Sequence, residues 1–449
     1  MLFSESDAKA ICTKALSFTK ADDACVRLSG DAHCNLRFAG GSFTTNGYRE
    51  DAELSVTVWV AGRKGSASSN ELDDASLRAT VAQAEELAKV SPVDEEYVPT
   101  LGAESYKPAG GFVEETLRLS LDARARSVAG IIDDCQKAGA VAAGFHQTRG
   151  SFAAGATQHG NFHYDRSTLV SLSVTARTLE GAGSGYFLRN HFDVARLDVA
   201  RIGGEAIQKA LRSRQPQALQ AGTYTVILEP QAVADLLGYS RAEFDARQAD
   251  EGRSVFSAPG GKTRLGERVF DERLSFYTDP WHPDLPGPRA AQDGIPAEKF
   301  FLVRNGVLEK LIYSRFWGRK KNQPATPGPV NMILASSAPP VGIEDMVRGT
   351  RRGLLVSRFW YLRTVDPRTA SLTGLTRDGV WLIENGKIAH PVRNFRFNQS
   401  TVQMLAPGNV DLIGAPERVS SSESQGANAL LLPALKVKEF HFTAASDAV

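Results

Sequence analysis

The stretch Gly379-Val-Trp-Leu-Ile-Glu-Asn-Gly-Lys-Ile388 shows most clearly how the second half of the chain folds. An apolar run comes first, Asn385-Gly386 follows, and a second run begins at Lys387. Asn-Gly between two such runs favours a type I′ turn, whose twist matches that of antiparallel strands. Phe301-Leu-Val-Arg-Asn-Gly-Val-Leu308 repeats the pattern. These hairpins predict a strand-rich domain over residues 222–449, with a curved or barrel-like antiparallel sheet.

The first half alternates between strand and helix patterns, which predicts an α+β fold. Leu54-Ser-Val-Thr-Val-Trp-Val60 is rich in β-branched residues and is typical of a strand, and Gly62-Arg-Lys-Gly65 is predicted as the following hairpin turn. Apolar residues from Leu77 to Val90 recur at helical spacing, and Pro92 ends that helix. We therefore expect three parts: an N-terminal α+β domain at 1–91, a middle α+β segment at 111–215 that packs with it, and the strand-rich domain at 222–449.

Composition argues against several classes of function. The chain has 52 Lys and Arg against 51 Asp and Glu, and its formal net charge of +1 gives no general attraction for nucleic acid or anionic lipid. No apolar run approaches the ~20 residues that a helix needs to span a bilayer. The acidic start Met1–Asp7 lacks the basic-then-apolar order of a secretory signal. We therefore expect neither a nucleic-acid partner nor a membrane partner.

The cysteines favour a reducing compartment. Cys12, Cys25, Cys34 and Cys135 are too scattered to form a disulfide framework, and they are typical of small buried side chains. Because disulfides are rare in the cytoplasm, this pattern predicts a cytoplasmic protein.

Two histidines, His159 and His163, are weak candidates for metal ligands. Their spacing of four residues would place them on one face of a helix or of a strand. Gly160 and Asn161 between them are poor helix formers, and the surroundings alternate as in a hairpin. A zinc site needs a third ligand, which would have to come from a distant part of the chain. The pattern favours a hairpin turn with surface histidines, and a metal held by this pair remains the alternative.

Two serines are candidate nucleophiles. Ser184 and Ser254 each lie in a glycine-rich context, but neither is part of a Gly-x-Ser-x-Gly elbow, and the order of the chain indicates no His and Asp partners. Serines in such turns usually bind nearby backbone groups. We therefore predict a structural role for both.

The order of phrases in the chain resembles that of the TldD/PmbA (TldE) family, zinc peptidases and their partners that are also described as modulators of DNA gyrase. The phrases, besides the two hairpins, are Glu251-Gly-Arg-Ser-Val-Phe256, Leu265-Gly-Glu-Arg-Val269, Thr278-Asp-Pro280 and Asp293-Gly-Ile-Pro296. Gly62-Arg-Lys-Gly-Ser-Ala67 extends the resemblance to the first half. The match spans nearly the whole chain and is specific in the order of its phrases.

The chain departs from the zinc-bearing branch of that family at the metal-binding helix. In that branch a His-Glu-x-x-x-His helix lies just before the phrase at 251–256. Counting back without gaps, the two histidine positions fall on Leu237 and Ala242, and the glutamate position falls on Gly238. Leu237 and Ala242 offer no metal ligand, and Gly238 offers no general base. The sequence has no histidine at any position from 192 to 281, so a small slip in the count changes nothing.

The second half of the family's zinc site is also missing. The zinc-bearing branch takes a cysteine ligand from a Cys-Gly-Lys phrase near its end, where this chain has Ser420-Ser-Ser-Glu-Ser-Gln-Gly426. The resemblance therefore implies the metal-free TldE/PmbA-like branch, with no catalytic residue, no metal ligand and no cofactor of its own.

The resemblance implies a role in a two-subunit peptidase. Zinc-bearing members pair with metal-free members to form a hollow complex, in which unfolded peptide is cut at the zinc of the partner. We expect this chain to be inactive on its own and to form a dimer with a zinc-bearing TldD-like subunit or with itself. Two alternatives stay open: a homodimeric peptide-binding or scaffold protein, and a peptidase-family enzyme with an unrecognised site.

Overall fold

The computed structural model describes residues 2–424 and 428–446. Gln425 and Gly426 of the serine-rich tail lie outside the described residues. The helices are α1 (Glu5–Ser17), α2 (Asp74–Val90), α3 (Glu114–Leu117), α4 (Leu121–Lys137), α5 (Val199–Arg212), α6 (Pro230–Leu237), α7 (Ala246–Asp250), α8 (Arg315–Lys321), α9 (Ile343–Arg348) and α10 (Thr401–Met404). The strands are β1 (Asp23–Ala39), β2 (Ser42–Val60), β3 (Arg63–Ser69), β4 (Ala140–Thr157), β5 (Phe162–Thr178), β6 (Ser184–His191), β7 (Thr223–Leu228), β8 (Ser257–Ala258), β9 (Lys262–Thr263), β10 (Leu274–Thr278), β11 (Phe300–Arg304), β12 (Val307–Leu308), β13 (Ile333–Ser336), β14 (Arg352–Asp366), β15 (Ser371–Glu384), β16 (Lys387–Pro391), β17 (Phe395–Ser400), β18 (Val410–Val419) and β19 (Leu430–Ala445).

A six-stranded antiparallel sheet, in the order β3-β2-β1-β4-β5-β6, forms the first half of the fold. Strands β1 to β3 come from the predicted segment 1–91, and β4 to β6 come from the segment 111–215. β1 pairs with β4 from Cys25 opposite Thr157 to Phe38 opposite Gly144. Residues of both segments therefore share one sheet.

Four helices cover one face of this sheet. Val26, Leu28, Leu36 and Phe38 alternate along β1, so they point to the same side. α1 and α2 pack over the end near Val26, and α4 and α5 pack over the end near Phe38. The opposite face is largely polar, as is common in antiparallel sheets with one solvated side.

The turn between β2 and β3 lies slightly earlier than the sequence suggested. Ala61 and Gly62 adopt positive φ angles of 48° and 72°, while Arg63 to Gly65 already belong to β3. Gly65 faces α2 so closely that a Cβ atom there would collide with the carbonyl oxygen of Ala84. The glycine is therefore needed for helix packing rather than for the turn.

The second sheet closes on itself. β7 pairs with β14 in parallel and with β19 in antiparallel orientation, so β19, β17, β15, β14 and β7 form a ring of five strands. β12, β11, β10 and β13 continue outward from β19, while β16 and β18 pair with β15 and β19. This ring confirms the predicted curved sheet. It is mixed rather than wholly antiparallel, because β7–β14 and β13–β19 are parallel pairs.

The predicted Asn-Gly hairpins are both present. Asn385 and Gly386 connect β15 to β16 with φ angles of 49° and 79°, and Asn305 and Gly306 connect β11 to β12 with φ angles of 48° and 80°. Two successive positive φ angles are the mark of a type I′ turn.

The core of the second half lies around α6. Every residue of α6 is buried, and β7, β14, β18 and β19 surround it. A helix that is covered on all sides cannot show an amphipathic pattern. Fully buried phenylalanines pack close to it, with ring centroids of Phe359 and Phe397 only 4.6 Å apart. None of the described helices has the length and apolar character required to cross a bilayer.

Candidate functional site

The positions counted for the zinc motif fall on two different elements. Leu237 is the last residue of α6, Gly238 is its C-cap, and Ala242 lies in the 3₁₀ turn Ser240–Phe244. A six-residue motif fits entirely within α6 only if it begins at residue 230, 231 or 232.

Of these three registers, only the first places a carboxylate at one of the three motif positions. It places Pro230 and Asp235 at the two histidine positions and Gln231 at the glutamate position. Asp235 and Gln231 are thus the polar side chains that α6 offers, and the count along the sequence did not identify them.

Asp235 is a fully buried acceptor of hydrogen bonds. The backbone N–H of Ser422 donates to it at 2.7 Å, and the Ser422 hydroxyl donates at 2.9 Å. The backbone N–H of Phe359 donates at 2.9 Å, and Nε2 of Gln231 donates at 3.2 Å. Burial raises the pKa of Asp235 to about 6, although these hydrogen bonds and Arg358 act in the opposite direction.

The serine-rich tail lies directly against α6. The carbonyl oxygen of Ser420 accepts a 2.6 Å hydrogen bond from Nε2 of Gln231. Glu423 accepts from the backbone N–H of Leu362 at 3.1 Å and from the hydroxyl of Tyr239 at 3.2 Å. The two segments to which the resemblance assigns the halves of the family's zinc site therefore meet in this fold. We call this contact between α6 and Ser420–Ser424 the helix–tail junction.

The side chains of the helix–tail junction do not fit a catalytic zinc ion. Such an ion takes about three N, S or O ligands and leaves one position open for water. Asp235 is the only usual zinc ligand on α6, and four protein donors already occupy its two oxygens. Across residues 2–424 and 428–446, no group of three or more His, Cys, Asp or Glu side chains is arranged to hold a metal ion.

The two candidate histidines lie on the predicted hairpin, in different environments. His159 is exposed, and its Nε2 lies 3.3 Å from Oδ1 of Asp23. His163 is largely withdrawn from solvent: its ring covers Gly155, and its Nδ1 is buried without a hydrogen-bond partner among the described residues. Burial, together with Arg27 and Arg289, lowers the pKa of His163 to about 4.

Asp23 cannot readily act as a further ligand for that pair. It already accepts hydrogen bonds from the hydroxyl of Tyr97 at 2.8 Å and from the backbone and hydroxyl of Thr100 at 2.7 and 2.6 Å. These contacts fix the segment after α2 to β1, which is a structural role.

Both candidate serines bind neighbouring groups of the protein. Ser254 donates to the carbonyl oxygen of Glu243 at 2.7 Å and accepts from the backbone N–H of Phe256 at 3.1 Å. Ser184 donates to the buried carboxylate of Asp378, which is paired with Arg358. Burial acts to raise the pKa of Asp378, but Arg358 and the Ser184 hydroxyl outweigh this effect and lower the pKa. Among the described residues, neither serine has a histidine as a hydrogen-bond partner.

The Ser184 contact also joins the two sheets, because Ser184 lies on β6 and Asp378 on β15. A second buried contact does the same from α5. Nζ of Lys209 is paired with Glu229 and lies 2.9 Å from the hydroxyl of Ser357 on β14. These contacts connect the first half of the fold to the ring.

The chain matches one protein family along most of its length. Three regions match models of the PmbA/TldA metallopeptidase: domain 1 at residues 26–88, the central domain at 112–214 and the C-terminal domain at 221–444. The Metalloprotease PmbA of Escherichia coli O157:H7 is 24% identical in an alignment that covers 94% of this chain and 93% of that protein.

Two crystal structures share the fold over nearly the whole chain. TldE from Thermococcus kodakarensis is 17% identical, with a TM-score of 0.84 over 97% of this chain and 99% of that one. A Thermotoga maritima protein, described as a modulator of a DNA gyrase, is 17% identical, with a TM-score of 0.82 over 97% of this chain and 100% of that one.

Proposed function

The chain belongs to the PmbA/TldD metallopeptidase family, and on that basis we propose that it is a TldE/PmbA-like subunit of a TldD/TldE-type peptidase complex. In this proposal it handles unfolded peptides but does not cut them. The cutting site belongs to a zinc-bearing TldD-like partner.

The helix–tail junction is the observation that carries this proposal. The resemblance assigns the metal-binding helix and the cysteine tail of zinc-bearing relatives to these two segments. Here the junction is closed by hydrogen bonds among Gln231, Asp235 and Ser422. Buried polar groups that already form hydrogen bonds with one another gain little free energy by exchanging those bonds for a metal ion. The junction therefore has a structural role in this proposal.

A peptide-binding role is supported by an uncovered sheet edge. β3 pairs with β2 only from Leu54 to Val60, so residues 42–53 of β2 have no neighbour on that side within the part of the chain that the structure describes. Side chains of residues 42–51 are exposed on both faces of the strand, including Phe43 and Tyr48. An extended peptide can add to such an edge through main-chain hydrogen bonds, which do not depend on its sequence.

We further propose that the protein works in the cytoplasm, as a dimer with a zinc-bearing relative or with a second copy of itself. The free cysteines support this location, because disulfides are rare in the cytoplasm.

The proposal is tested by expressing the chain alone and together with a His-Glu-x-x-x-His relative encoded in the same genome. We expect the chain alone to lack stoichiometric zinc in elemental analysis and to leave fluorogenic unfolded peptides intact. The two chains should co-elute in size-exclusion chromatography and cut the peptides together. A partner whose motif glutamate is replaced by glutamine is the control for activity that comes from the partner.

The opposite result would identify an independent enzyme. Stoichiometric zinc on the isolated chain, with peptidase activity that is lost in His163→Ala and kept in His390→Ala, would contradict the proposal.

A further inference from the structure

A cavity of about 450 Å³ lies where β6, the start of α5 and β18 come together, between the first sheet and the ring. Its lining is rich in ionisable side chains. Arginines are in excess over carboxylates, with Arg189, Arg196, Arg201 and Arg418 against Asp198, Asp284 and Glu417. We call it the arginine cavity.

Three of the four arginines have a carboxylate partner. Arg189 and Arg201 share Glu417, with N–O distances of 2.7 and 3.6 Å, and Arg196 lies 3.5 Å from Asp284. Asp198 caps the N-terminus of α5 through the backbone N–H of Arg201.

Arg418 differs from the other three. Its Nε donates to the side-chain oxygen of Asn190 at 3.0 Å, and its Nη1 donates to the backbone carbonyl oxygen of Asp284 at 2.7 Å. In residues 2–424 and 428–446, no carboxylate lies within salt-bridge distance of it, so both groups that bind it are neutral acceptors. The outer edge of the guanidinium, formed by Nη1 and Nη2, keeps N–H donors for a further partner.

The charge on Arg418 is costly without an anion. Burial lowers the pKa of Arg418 to about 10, with Asp284 acting in the opposite direction from a greater distance, so the group is still a cation at neutral pH. A partly buried cation without a paired anion destabilises a fold, and a bound anion relieves that cost. The first turn of α5 adds a positive end of a helix dipole to the same wall.

A neutral donor completes the lining. His191 accepts a 2.9 Å hydrogen bond at Nδ1 from the backbone N–H of Asp193, so in the neutral ring the proton lies on Nε2. Burial, with Arg418 and Arg196 nearby, lowers the pKa of His191 to about 4, so at neutral pH the ring is an uncharged donor.

We propose that the arginine cavity binds a carboxylate, with Arg418 as its main partner. One unmatched positive charge balances a monoanion, whereas a phosphate dianion would leave negative charge in excess. The outer edge of a guanidinium also matches the two oxygens of a carboxylate. Because this rests on the proposed handling of peptides, the carboxylate is that of a peptide, either its C-terminus or an acidic side chain.

The cavity lies one side chain away from the helix–tail junction. Asn190, which binds Arg418 through its oxygen, donates through Nδ2 to the hydroxyl of Ser420. A peptide held at Arg418 is therefore anchored beside the segment that corresponds to the cutting site of the zinc-bearing relatives.

The test compares three labelled alanine–serine peptides by fluorescence anisotropy: one with a free C-terminal carboxylate, one with a C-terminal carboxamide, and one carboxamide that contains a glutamate. We expect the wild-type protein to bind the free carboxylate about tenfold more tightly than the carboxamide. Arg418→Met should abolish this difference, and Arg118→Met, at an exposed arginine outside the cavity, should keep it. Recovery of affinity with the glutamate peptide would identify a side-chain carboxylate as an equally good ligand.

A second measurement keeps the inference independent of peptide binding. The wild-type protein should melt at a higher temperature in sodium acetate than in sodium chloride of equal ionic strength, and Arg418→Met should show no such difference. If the peptides bind equally well in all three forms, the inference is wrong while the proposed function stands. If no peptide binds, the proposed function fails, and the acetate measurement then decides whether the carboxylate site exists. An equal melting temperature in acetate and in chloride would overturn the site.

Discussion

Asp235 makes the stability of this protein depend on pH, and one substitution isolates that dependence. Burial raises the pKa of its carboxyl group from 3.8 to about 6 in the folded chain. Between these two values the folded chain keeps a proton that the unfolded chain releases. The free energy of unfolding therefore falls as the pH rises through this window and levels off above about pH 6.

The size of the effect follows from the shift in pKa. Each pKa unit corresponds to about 1.4 kcal/mol, so the full window is worth about 3 kcal/mol. Between about pH 4.5 and about pH 7.5 the unfolded chain is mostly ionised throughout, which leaves about 2 kcal/mol of the loss to be measured.

The informative variant is Asp235→Asn. The asparagine side chain does not titrate. Its oxygen can still accept hydrogen bonds from Ser422, but its NH₂ group then faces the backbone N–H of Phe359, which is also a donor. That mismatch lowers the free energy of unfolding by about 1–3 kcal/mol. Because the loss is the same at every pH, it adds no pH dependence of its own. Between the two pH values, the wild-type protein should therefore lose about 2 kcal/mol more than Asp235→Asn.

Urea unfolding followed by tryptophan fluorescence measures this difference at both pH values. Asp133→Asn, at an exposed position on α4, is the matched control and should follow the wild-type protein. An identical pH dependence in the wild-type protein and in Asp235→Asn would show that the carboxyl group is not desolvated, and the account of the helix–tail junction would fail.

Three further substitutions test the packing around the two sheets. Gly65→Ala should lower the free energy of unfolding by about 1–3 kcal/mol or more, because the new Cβ would collide with the backbone of Ala84. Gly204→Ala lies in α5, where no atom lies within 4 Å of the new Cβ, and it should raise the free energy of unfolding by up to about 1 kcal/mol. Urea midpoints that shift in the same direction for Gly65→Ala and Gly204→Ala would contradict this reasoning. Asp378→Asn leaves Arg358 buried without its anion and should cost about 3–5 kcal/mol in the same assay, whereas a variant as stable as the wild-type protein would mean that water reaches the pair.

The parts of the fold that local chemistry determines were predictable from the sequence. Asn385-Gly386 and Asn305-Gly306 specify their hairpins because few other residues adopt two successive positive φ angles. The closure of the ring was not predictable in detail, because β7 and β19 are far apart in sequence and nothing local specifies which strands become neighbours. The parallel pairs were missed for the same reason. The division into 1–91, 111–215 and 222–449 remains a prediction.

The contact between α6 and the serine-rich tail joins two segments that the sequence analysis singled out, but its polar residues were not identified there, and the zinc-motif positions remain a prediction. The ungapped count reached Leu237, Gly238 and Ala242 because it assumed a fixed distance to the phrase at 251–256. A proline at the first helical position and a glycine just after the last one delimit α6, and this signal would have drawn attention to Asp235. The arginine cavity had no such signal, because its residues come from separate segments that only the folded chain brings together.

The position of β19 has a consequence for how the protein is made. β19 pairs with β7, β13, β17 and β18, and it follows all of them along the chain. Until the ribosome has added β19, each of these four strands lacks one of its neighbours. Its unpaired edge can then associate with other nascent chains. We therefore expect this half of the molecule to mature after translation, under the protection of chaperones, and products truncated before Leu430 to aggregate.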